Sequence, residues 1–199
     1  MGLGCAPPEG ESPDALLTFR RLPPDPRLQG VPRRIADPAG PLEVVESPVR
    51  AHDRLWMARA LERARQAGLK GEVPVGAVVV GEGGLIAEGA NRTLEWSDPT
   101  AHAEVVSLRA AGARAGAARI PGTTLYVTLE PCTLCAGALV QARVDRVVYG
   151  ASDPKGGMAG SLGNLVQDPR LNHRIEVTSG VLADAAGALL RDFFRERRG

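Results

Sequence analysis

The spacing of hydrophobic residues along positions 51–199 changes between helical and strand periods, which predicts alternating helices and strands. Within 53–68, Leu55, Ala58, Leu61 and Ala64 recur at helical spacing. The runs VPVGAVVV, TLYVTL and RVVYGA are rich in β-branched residues and are typical of buried strands. In chain order the predicted elements are helix 53–68, strands 73–80 and 85–90, helix 101–112, strand 124–129, helix 131–142, strand 146–151, a short strand 175–178 and helix 182–198.

The order of these elements places the chain in the α/β class. The first two strands are joined by a glycine-rich turn, 81–84, and therefore form a hairpin. The later strands alternate with helices, an arrangement that favours parallel strand pairs with helices packed on the sheet. We therefore expect a mixed central sheet of about five strands.

Residues 1–50 differ in composition from the rest of the chain. They hold ten of the 16 prolines and one aromatic residue, Phe19, together with charges of both signs. Such a segment buries too little apolar surface to offset the entropy of ordering it. We therefore divide the chain into a disordered proline-rich extension, 1–50, and a folded domain, 51–199. The alternative is that the extension is an arm that binds a partner through Arg20, Arg21, Arg33 and Arg34.

Overall composition narrows the class of protein only slightly. A hydrophobic fraction of 44% is sufficient for a core, and a net charge of +1 excludes neither a nucleic acid nor a small substrate. The three cysteines do not form a disulfide framework, and a cysteine pair that binds metal must stay reduced. No apolar run reaches the roughly 18 residues of a membrane span. A cytoplasmic protein without a membrane partner is therefore expected.

Two short motifs, HAE and PCTLC, carry the candidate chemistry. His102, Cys132 and Cys135 are suitable zinc ligands, whereas Glu104 is a carboxylate that need not bind the metal. A structural zinc site usually has four protein ligands, but a catalytic site has three and leaves one position for water. Each motif lies at a predicted helix start, where two side chains can point along the axis to one ion and the helix dipole favours thiolates.

Each motif taken alone has a less specific interpretation. A single histidine is more often a core or helix-cap residue, and a single CxxC pair is as often redox-active or structural as catalytic. The combination of HAE with a later PCxxC is far more specific, because it is the signature of zinc-dependent deaminases. A purely structural zinc domain is disfavoured because a fourth ligand is lacking.

Longer stretches of the folded domain resemble the cytidine deaminase superfamily, and most closely its bacterial tRNA-specific adenosine deaminases. The matching stretches are EVPVGAVVV, the Asn91-Arg92 pair, DPTAHAE, TLYVTLEPC with CAGA, RVVYGASD, GSLGN, NHR and DFFRERR. The resemblance implies a three-layer α/β/α cytidine-deaminase-like fold with a mixed central sheet. It covers about three quarters of the chain and says nothing about residues 1–50.

The resemblance also implies an activity. Members of this family hydrolytically deaminate the wobble adenosine of a tRNA anticodon to inosine, so a tRNA anticodon stem-loop is the expected partner, and arginine tRNA the expected species. One Zn²⁺ per subunit, held by His102, Cys132 and Cys135, would activate a water molecule. Glu104 would be the catalytic proton shuttle. Family members are homodimers, and the apolar CAGALV segment is compatible with such an interface.

Matching to the family also implies contacts between the site and the reacting base. Asn91 would hydrogen-bond the base, and the backbone N–H of Ala103 would donate to the oxygen. The carbonyl of Pro131 would accept a hydrogen bond from the departing amine. His173 is not expected to be a metal ligand, and surface, core and RNA-facing positions remain open for it.

Other matched residues are expected to contact the RNA outside the reacting base. Asp153 matches an acid that contacts the RNA sugar, although a loop aspartate is otherwise most often a turn former. The C-terminal helix, which lines the RNA groove in the family, contributes Phe193, Phe194 and Arg195. One of the two phenylalanines is also expected to belong to the core.

Two other functions compete with this interpretation. One is a deaminase of the same superfamily that acts on free guanine, cytosine or a nucleotide. Cytidine deaminases typically have cysteine at the position of His102, and guanine deaminases generally lack the DFFRERR tail. The other is an inactive zinc-binding subunit that presents RNA, but such a subunit has no use for Glu104.

Overall fold

The computed structural model describes residues 48–198, so residues 1–47, where the disordered extension is predicted, and Gly199 lie outside the described part. Four helices and five strands form within these residues. In chain order they are α1 (Pro48–Leu69), β1 (Gly76–Gly81), β2 (Gly84–Ala90), α2 (Ala103–Ala115), β3 (Thr124–Leu129), α3 (Thr133–Ala142), β4 (Arg146–Ala151), β5 (Glu176–Thr178) and α4 (Ala183–Glu196).

The five strands form one mixed sheet in the order β2-β1-β3-β4-β5. β1 pairs antiparallel with both β2 and β3, whereas β3 with β4 and β4 with β5 are parallel. The predicted hairpin and the predicted parallel pairs are both confirmed. α3 is the crossover between β3 and β4, so the carboxyl ends of these two strands meet at one edge of the sheet.

Helices cover both faces of the sheet. On one face α2 and α3 pack through residues such as Leu108 and Leu139, and on the other α1 and α4 pack through Met57 and Ala186. The two buried clusters lie on opposite sides of the strands, which confirms the predicted three-layer α/β/α arrangement. Within residues 48–198, no helix combines the length and the apolar character that a bilayer span requires.

Helix α1 differs from its prediction in both its start and its buried face. It spans Pro48–Leu69 and so includes the five residues before the predicted start at Asp53. Leu55 and Ala58, placed on the buried face by spacing, are both exposed, and Leu55 is 62% exposed. A β-carbon on Gly76 of β1 would overlap the α1 backbone, so the helix lies too close for large side chains there. The buried stripe is instead Met57, Ala60, Leu61, Ala64 and Ala67.

The connection between β4 and β5 is a loop, 152–175, rather than a helix. It crosses the carboxyl ends of the parallel strands and buries Val166 and Ile175 in the core. His173 helps to fix its end, because its Nε2 lies 2.7 Å from the carbonyl oxygen of Val144. A carbonyl only accepts, so this nitrogen must carry the proton. His173 therefore has a structural contact and is not part of the cysteine–histidine cluster.

Candidate active site

The three candidate zinc ligands lie at the amino-terminal ends of α2 and α3. His102 and Cys132 are the N-cap residues, with extended backbone at φ −70°, ψ 152° and φ −74°, ψ 179°, and Cys135 follows in the first turn of α3. An N-cap residue keeps a non-helical backbone. Both helices consequently begin two residues later than predicted, at Ala103 and Thr133. The predicted convergence of two helix starts on one point is confirmed.

The separations between the ligand atoms fit a zinc ion. His102 Nδ1 lies 3.6 Å from Cys132 Sγ and 3.5 Å from Cys135 Sγ. A tetrahedral zinc with Zn–N near 2.05 Å and Zn–S near 2.3 Å requires N···S distances of about 3.6 Å. Among residues 48–198, these side chains are the one group of three or more His, Cys, Asp or Glu close enough to share a metal. The donor set is therefore suited to a metal with one position left open.

The pKa values of the two cysteines shift in opposite directions. A hydrogen bond from the Cys135 thiol, followed by one from His102, lowers the pKa of Cys132. The neighbouring Cys132 sulfur in turn raises the pKa of Cys135, so Cys135 keeps its proton. Cys132 also raises the pKa of His102. Cys132 is thus a thiolate at neutral pH, which is the form that binds a metal.

Glu104 is a buried carboxyl beside this cluster. It lies in the first turn of α2 and is 4% exposed. Burial raises the pKa of Glu104 to about 7, and the adjacent Cys132 charge acts in the same direction. A carboxyl with a pKa near neutrality can both accept and donate a proton at physiological pH. Glu104 is therefore suited to general acid–base chemistry.

A glycine in β2 sets the position of Glu104. A β-carbon on Gly89 would lie 2.8 Å from the carbonyl oxygen of Ala103 and 2.8 Å from the amide nitrogen of Ser107. The first turn of α2 therefore rests directly on the sheet. The Ser107 hydroxyl donates to the carbonyls of Ala103 at 2.9 Å and Glu104 at 3.0 Å. These contacts fix the backbone from which Glu104 projects.

Asn91 and Ala103, both predicted to contact the substrate, are hydrogen-bonded to each other. The backbone N–H of Ala103 donates to Asn91 Oδ1 at 2.9 Å. The amide orientation of Asn91 follows, because only its oxygen can accept. Its NH₂ group is consequently the part of the side chain able to donate to a base. Sequence matching had assigned the Ala103 N–H to the substrate oxygen, but in this structure Asn91 accepts from it.

The carbonyl of Pro131 also has a partner within the protein. Met158 donates its backbone N–H to this oxygen at 2.8 Å, and Cys132 forms an antiparallel bridge with Gly157. The loop after β4 is therefore paired with the segment that carries Cys132 and Cys135. A carbonyl oxygen has two lone pairs, so Pro131 keeps one acceptor position for another donor.

Asp153 lies in this loop, at its start. It is partly exposed, and its Oδ1 accepts a hydrogen bond from the Lys155 N–H at 3.0 Å. The turn-forming role of a loop aspartate is therefore present. The Asp153 N–H donates in turn to the buried carboxylate of Glu130 at 3.0 Å. The carboxylate of Asp153 thus has a fixed backbone and an accessible side chain.

The two phenylalanines of α4 have different environments. Phe193 is 8% exposed, and the Arg197 guanidinium lies 3.6 Å from the centre of its ring. Phe194 is 41% exposed and meets Phe193 edge to face. Arg195 is exposed and pairs with Asp192 within the same helix at 2.8 Å. Phe193 is therefore the core phenylalanine, and Phe194 the ring that faces solvent.

Sequence reasoning missed two buried glutamates that bind loops near the site. Glu72 is 1% exposed, and its carboxylate accepts from the backbone N–H groups of Leu94 at 2.8 Å and Glu95 at 2.9 Å. The hydroxyl of Thr93 adds a third hydrogen bond. This loop directly follows Asn91. Glu130 binds the 153–161 loop in the same manner. Their one sequence signal was a charged residue next to an apolar run.

The loop after Asn91 also presents an aromatic side chain that sequence reasoning left without a role. Trp96 is 45% exposed, and the guanidinium of Arg92 lies 5.1 Å from its ring centre. The loop ends are joined, since Arg92 N–H donates to the Ala101 carbonyl at 3.0 Å. An exposed ring on a well-anchored loop therefore lies between Asn91 and His102 along the chain.

Comparison with known sequences places this site in a family. The family model of the MafB19-like deaminases matches residues 51–198. A tRNA-specific adenosine deaminase from Bacillus subtilis (strain 168) is 50% identical over 146 residues, which are 73% of this chain and 91% of that protein. The match includes the stretch that carries the ligand cluster and Glu104.

Solved structures agree with the sequence comparison. A structure from a study of A-to-I editing by tRNA:A34 deaminases is 46% identical, with a TM-score of 0.66, and the match covers 68% of this chain and 99% of that one. A guanine deaminase from Nitrosomonas europaea has a TM-score of 0.61 at 26% identity, covering 77% and 96%. The higher identity lies with the tRNA deaminase. The chain therefore belongs to the MafB19-like deaminases by its family model and to the tRNA-specific adenosine deaminases by its sequence identity to them.

Proposed function

We propose that this protein hydrolytically deaminates adenosine to inosine at the wobble position of a tRNA anticodon, with arginine tRNA as a substrate. The observation that carries the chemistry is the buried Glu104 beside a three-ligand cluster whose spacing fits zinc. The proposed substrate is inferred from the similarity to tRNA-specific adenosine deaminases. The inactive RNA-presenting alternative is disfavoured because Glu104 is buried at a cost that a binding role does not require.

The reaction needs a nucleophile, a proton carrier and a leaving ammonia. His102, Cys132 and Cys135 would hold the zinc ion, which would lower the pKa of a water molecule toward neutrality and so make it available as the nucleophile. Glu104 accepts that proton and delivers it to the purine ring as the oxygen bonds to C6. Glu104 then assists the breaking of the C6–N bond, so adenosine and water become inosine and ammonia.

One side chain and one backbone carbonyl orient the base in this proposal. The NH₂ of Asn91 donates to the purine, because its oxygen is engaged by Ala103. The remaining lone pair of the Pro131 carbonyl accepts from the departing amine. The Ala103 N–H reaches the new oxygen only if the bond to Asn91 is exchanged when substrate binds. The contacts of Asn91 and Pro131 with the base therefore depend on the backbone around His102 and Cys132.

A base within a helix stack cannot reach such a site, whereas an anticodon loop presents unstacked bases. We propose that Phe194, Arg195 and Asp153 contact the RNA beyond the reacting base. Trp96 with Arg92 adds a second exposed aromatic and cationic pair. Exposed rings and guanidinium groups are the side chains on which single-stranded bases stack.

The experiment that tests this function uses the purified full chain. It is incubated with an arginine tRNA transcript carrying adenosine at the wobble position, and inosine is detected by nuclease digestion and mass spectrometry. Inosine at that one position supports the proposal. Absence of inosine, combined with turnover of free guanine, cytosine or a nucleotide, would assign the alternative function instead.

We predict that activity depends on one zinc ion per chain. Elemental analysis of the purified protein should give close to one zinc per chain, and Cys135→Ala should lose most of it because two ligands bind far more weakly than three. A chelator should abolish deamination, and added Zn²⁺ should restore it. Full activity in protein that contains no zinc would contradict this prediction.

We predict that Phe194 contributes to RNA affinity. Phe194→Ala should raise the KM for the anticodon stem-loop about tenfold, since stacking of one base on an aromatic ring is worth about 1–3 kcal/mol. The matched control is Leu55→Ala, which removes an exposed apolar side chain from α1 and should leave KM nearly unchanged. An unchanged KM for Phe194→Ala would remove Phe194 from the RNA surface.

We also propose that the functional unit is a cytoplasmic homodimer whose catalytic domain is 51–199. A shallow groove between α2 and α3 is lined by apolar residues, including Val105, Leu108 and Ala138, and by polar residues, including Arg109 and Gln141. An exposed groove of this type is compatible with contact between two subunits. A cytoplasmic location follows from the proposed tRNA substrate.

A further inference from the structure

Glu130 is a buried carboxylate between the end of β3 and the cysteine motif. It is 2% exposed, and four donors from the 153–161 loop bind its two oxygens. Oε1 accepts from the backbone N–H groups of Ala159 at 3.1 Å and Ser161 at 2.9 Å. Oε2 accepts from the Asp153 N–H at 3.0 Å and from the Ser161 hydroxyl. All four donors therefore belong to the loop that carries Asp153.

The loop lies directly against this carboxylate. A β-carbon on Gly157 would overlap the Glu130 side chain, so only glycine permits the approach. The same loop pairs with the cysteine segment through the Met158 N–H on Pro131 and the bridge between Gly157 and Cys132. Glu130 thus joins two segments of the site that are adjacent only in the folded chain.

Packing alone does not explain an acid at this position. Removing a carboxylate from water is costly unless its oxygens are fully hydrogen-bonded, and an apolar residue would fill the same space without that cost. The hydrogen bonds of Glu130 fix the backbone at both ends of the 153–161 loop. Such fixation lowers the entropy that Asp153 must lose when it binds a ligand.

We propose that Glu130 is a positioning residue that holds the 153–161 loop against the cysteine motif, so that Asp153 is preorganised to bind the RNA substrate. The proposal rests on the tRNA deaminase function proposed above. Glu130 acts through Asp153 and has no contact of its own with the RNA.

The isosteric substitution Glu130→Gln distinguishes a positioning role of Glu130 from a role in packing alone. An amide has one accepting oxygen, so in either orientation its NH₂ group faces a backbone N–H that needs an acceptor. If the amide oxygen accepts from the N–H groups of Ala159 and Ser161, the amide NH₂ faces the Asp153 N–H. The Ser161 hydroxyl can rotate to accept a hydrogen bond from this NH₂ group. The substitution therefore removes the hydrogen bond of the Asp153 N–H while leaving the volume of the side chain at position 130 almost unchanged.

Steady-state kinetics on the arginine tRNA transcript should detect the loss of this hydrogen bond as a weaker binding of substrate. Glu130→Gln should raise KM about tenfold and change kcat less than about threefold, the pattern of a lost binding contribution. In an Asp153→Ala background the same substitution should raise KM less than about twofold, because its effect passes through Asp153. Additive effects in this double-mutant cycle would overturn the proposal.

Hydrogen exchange tests the positioning without reference to turnover. Peptides covering 152–161 should exchange at least about tenfold faster in Glu130→Gln than in the unmodified protein, while peptides of β1 and β3 should not change. If Glu130→Gln does not fold, Ser161→Ala removes one donor only and should give a smaller change in the same direction. Unchanged exchange and unchanged KM in a folded variant would overturn the proposal.

The matched control is Asp53→Asn, another buried carboxylate at 3% exposure, which binds Tyr126 and Arg146 on the α1 face of the sheet. It should lower the melting temperature without changing KM or exchange in the 153–161 loop. An equal rise in KM would mean that destabilisation alone explains Glu130→Gln, which would overturn the proposal. Failure of the unmodified protein to act on tRNA would refute the function instead, and the exchange result would still decide the role of Glu130.

Discussion

Replacing Glu104 by glutamine should reduce kcat for adenosine deamination by about 10²–10⁴-fold. The amide has almost the same shape as the carboxyl but can neither accept the proton of the attacking water nor return it to the purine. The pKa of Glu104, raised by burial to about 7, indicates that the carboxyl exchanges protons near neutral pH. Single-turnover kinetics on the tRNA transcript measures the loss at the chemical step.

Controls for Glu104→Gln should show that only the chemistry has changed. Zinc content should remain near one per chain, because Glu104 is not among the three proposed ligands, His102, Cys132 and Cys135. The melting temperature should not fall, because a neutral amide is cheaper to bury than a carboxylate. Glu82→Gln, in the exposed turn between β1 and β2, should keep unmodified turnover. Substantial deamination by Glu104→Gln would refute the proton-shuttle role.

Replacing Asp53 by asparagine should lower the free energy of unfolding by about 3 kcal/mol. Asp53 accepts two hydrogen bonds from Arg146, both at 2.8 Å, and one from Tyr126 at 2.9 Å. The variant leaves the mostly buried guanidinium of Arg146 without its charged partner, the situation in which a broken ion pair costs about 3–5 kcal/mol. We place the loss at the lower end because Arg146 also lies 3.3 Å from the exposed Glu176. Chemical denaturation measures it.

Two comparisons determine whether the ion pair causes this loss. Tyr126→Phe removes one hydrogen bond and should cost about 1 kcal/mol. The double variant Asp53→Leu/Arg146→Leu should be less destabilised than the sum of its single variants, because neither charge is left alone. Simple additivity would mean that the pair is not coupled.

Acid should weaken the unmodified protein through the same aspartate. Burial acts to raise the pKa of Asp53, but hydrogen bonds from Arg146 and Tyr126 outweigh it and hold the value below the usual range. A lowered folded-state pKa stabilises the protein above the unfolded-state value, and this stabilisation disappears as the pH falls through the folded-state value. Asp53→Asn should reduce the acid dependence accordingly.

The sequence was sufficient to predict the layer architecture and the grouping of His102, Cys132 and Cys135, for different physical reasons. The strands contain runs of β-branched residues long enough to be recognised individually, and their alternation with helices restricts the pairing. His102, Cys132 and Cys135 form a donor set whose spacing suits two helix starts. Contacts that depend on local spacing were therefore predictable.

Features decided by distant parts of the chain were not predictable in the same way. The alanine-rich α1 has more than one stripe of small or apolar residues, and only the close approach at Gly76 selects the buried one. The hydrogen bond between Asn91 and Ala103 depends on the distance between β2 and α2. The partners of Glu130 lie 23 to 31 residues away along the chain. Helices α2 and α3 begin later than predicted because their N-cap residues, His102 and Cys132, have extended backbone.

The sheet order has a consequence for aggregation. β2 and β5 are its two edge strands, and exposed edges are templates for pairing with other chains. β5 has only three residues and carries the exposed Glu176, while Glu88 on β2 is paired with Arg59 at 2.7 Å. Short length and charge both disfavour the addition of a foreign strand. Unintended β-pairing between folded molecules is thus opposed at the β5 edge.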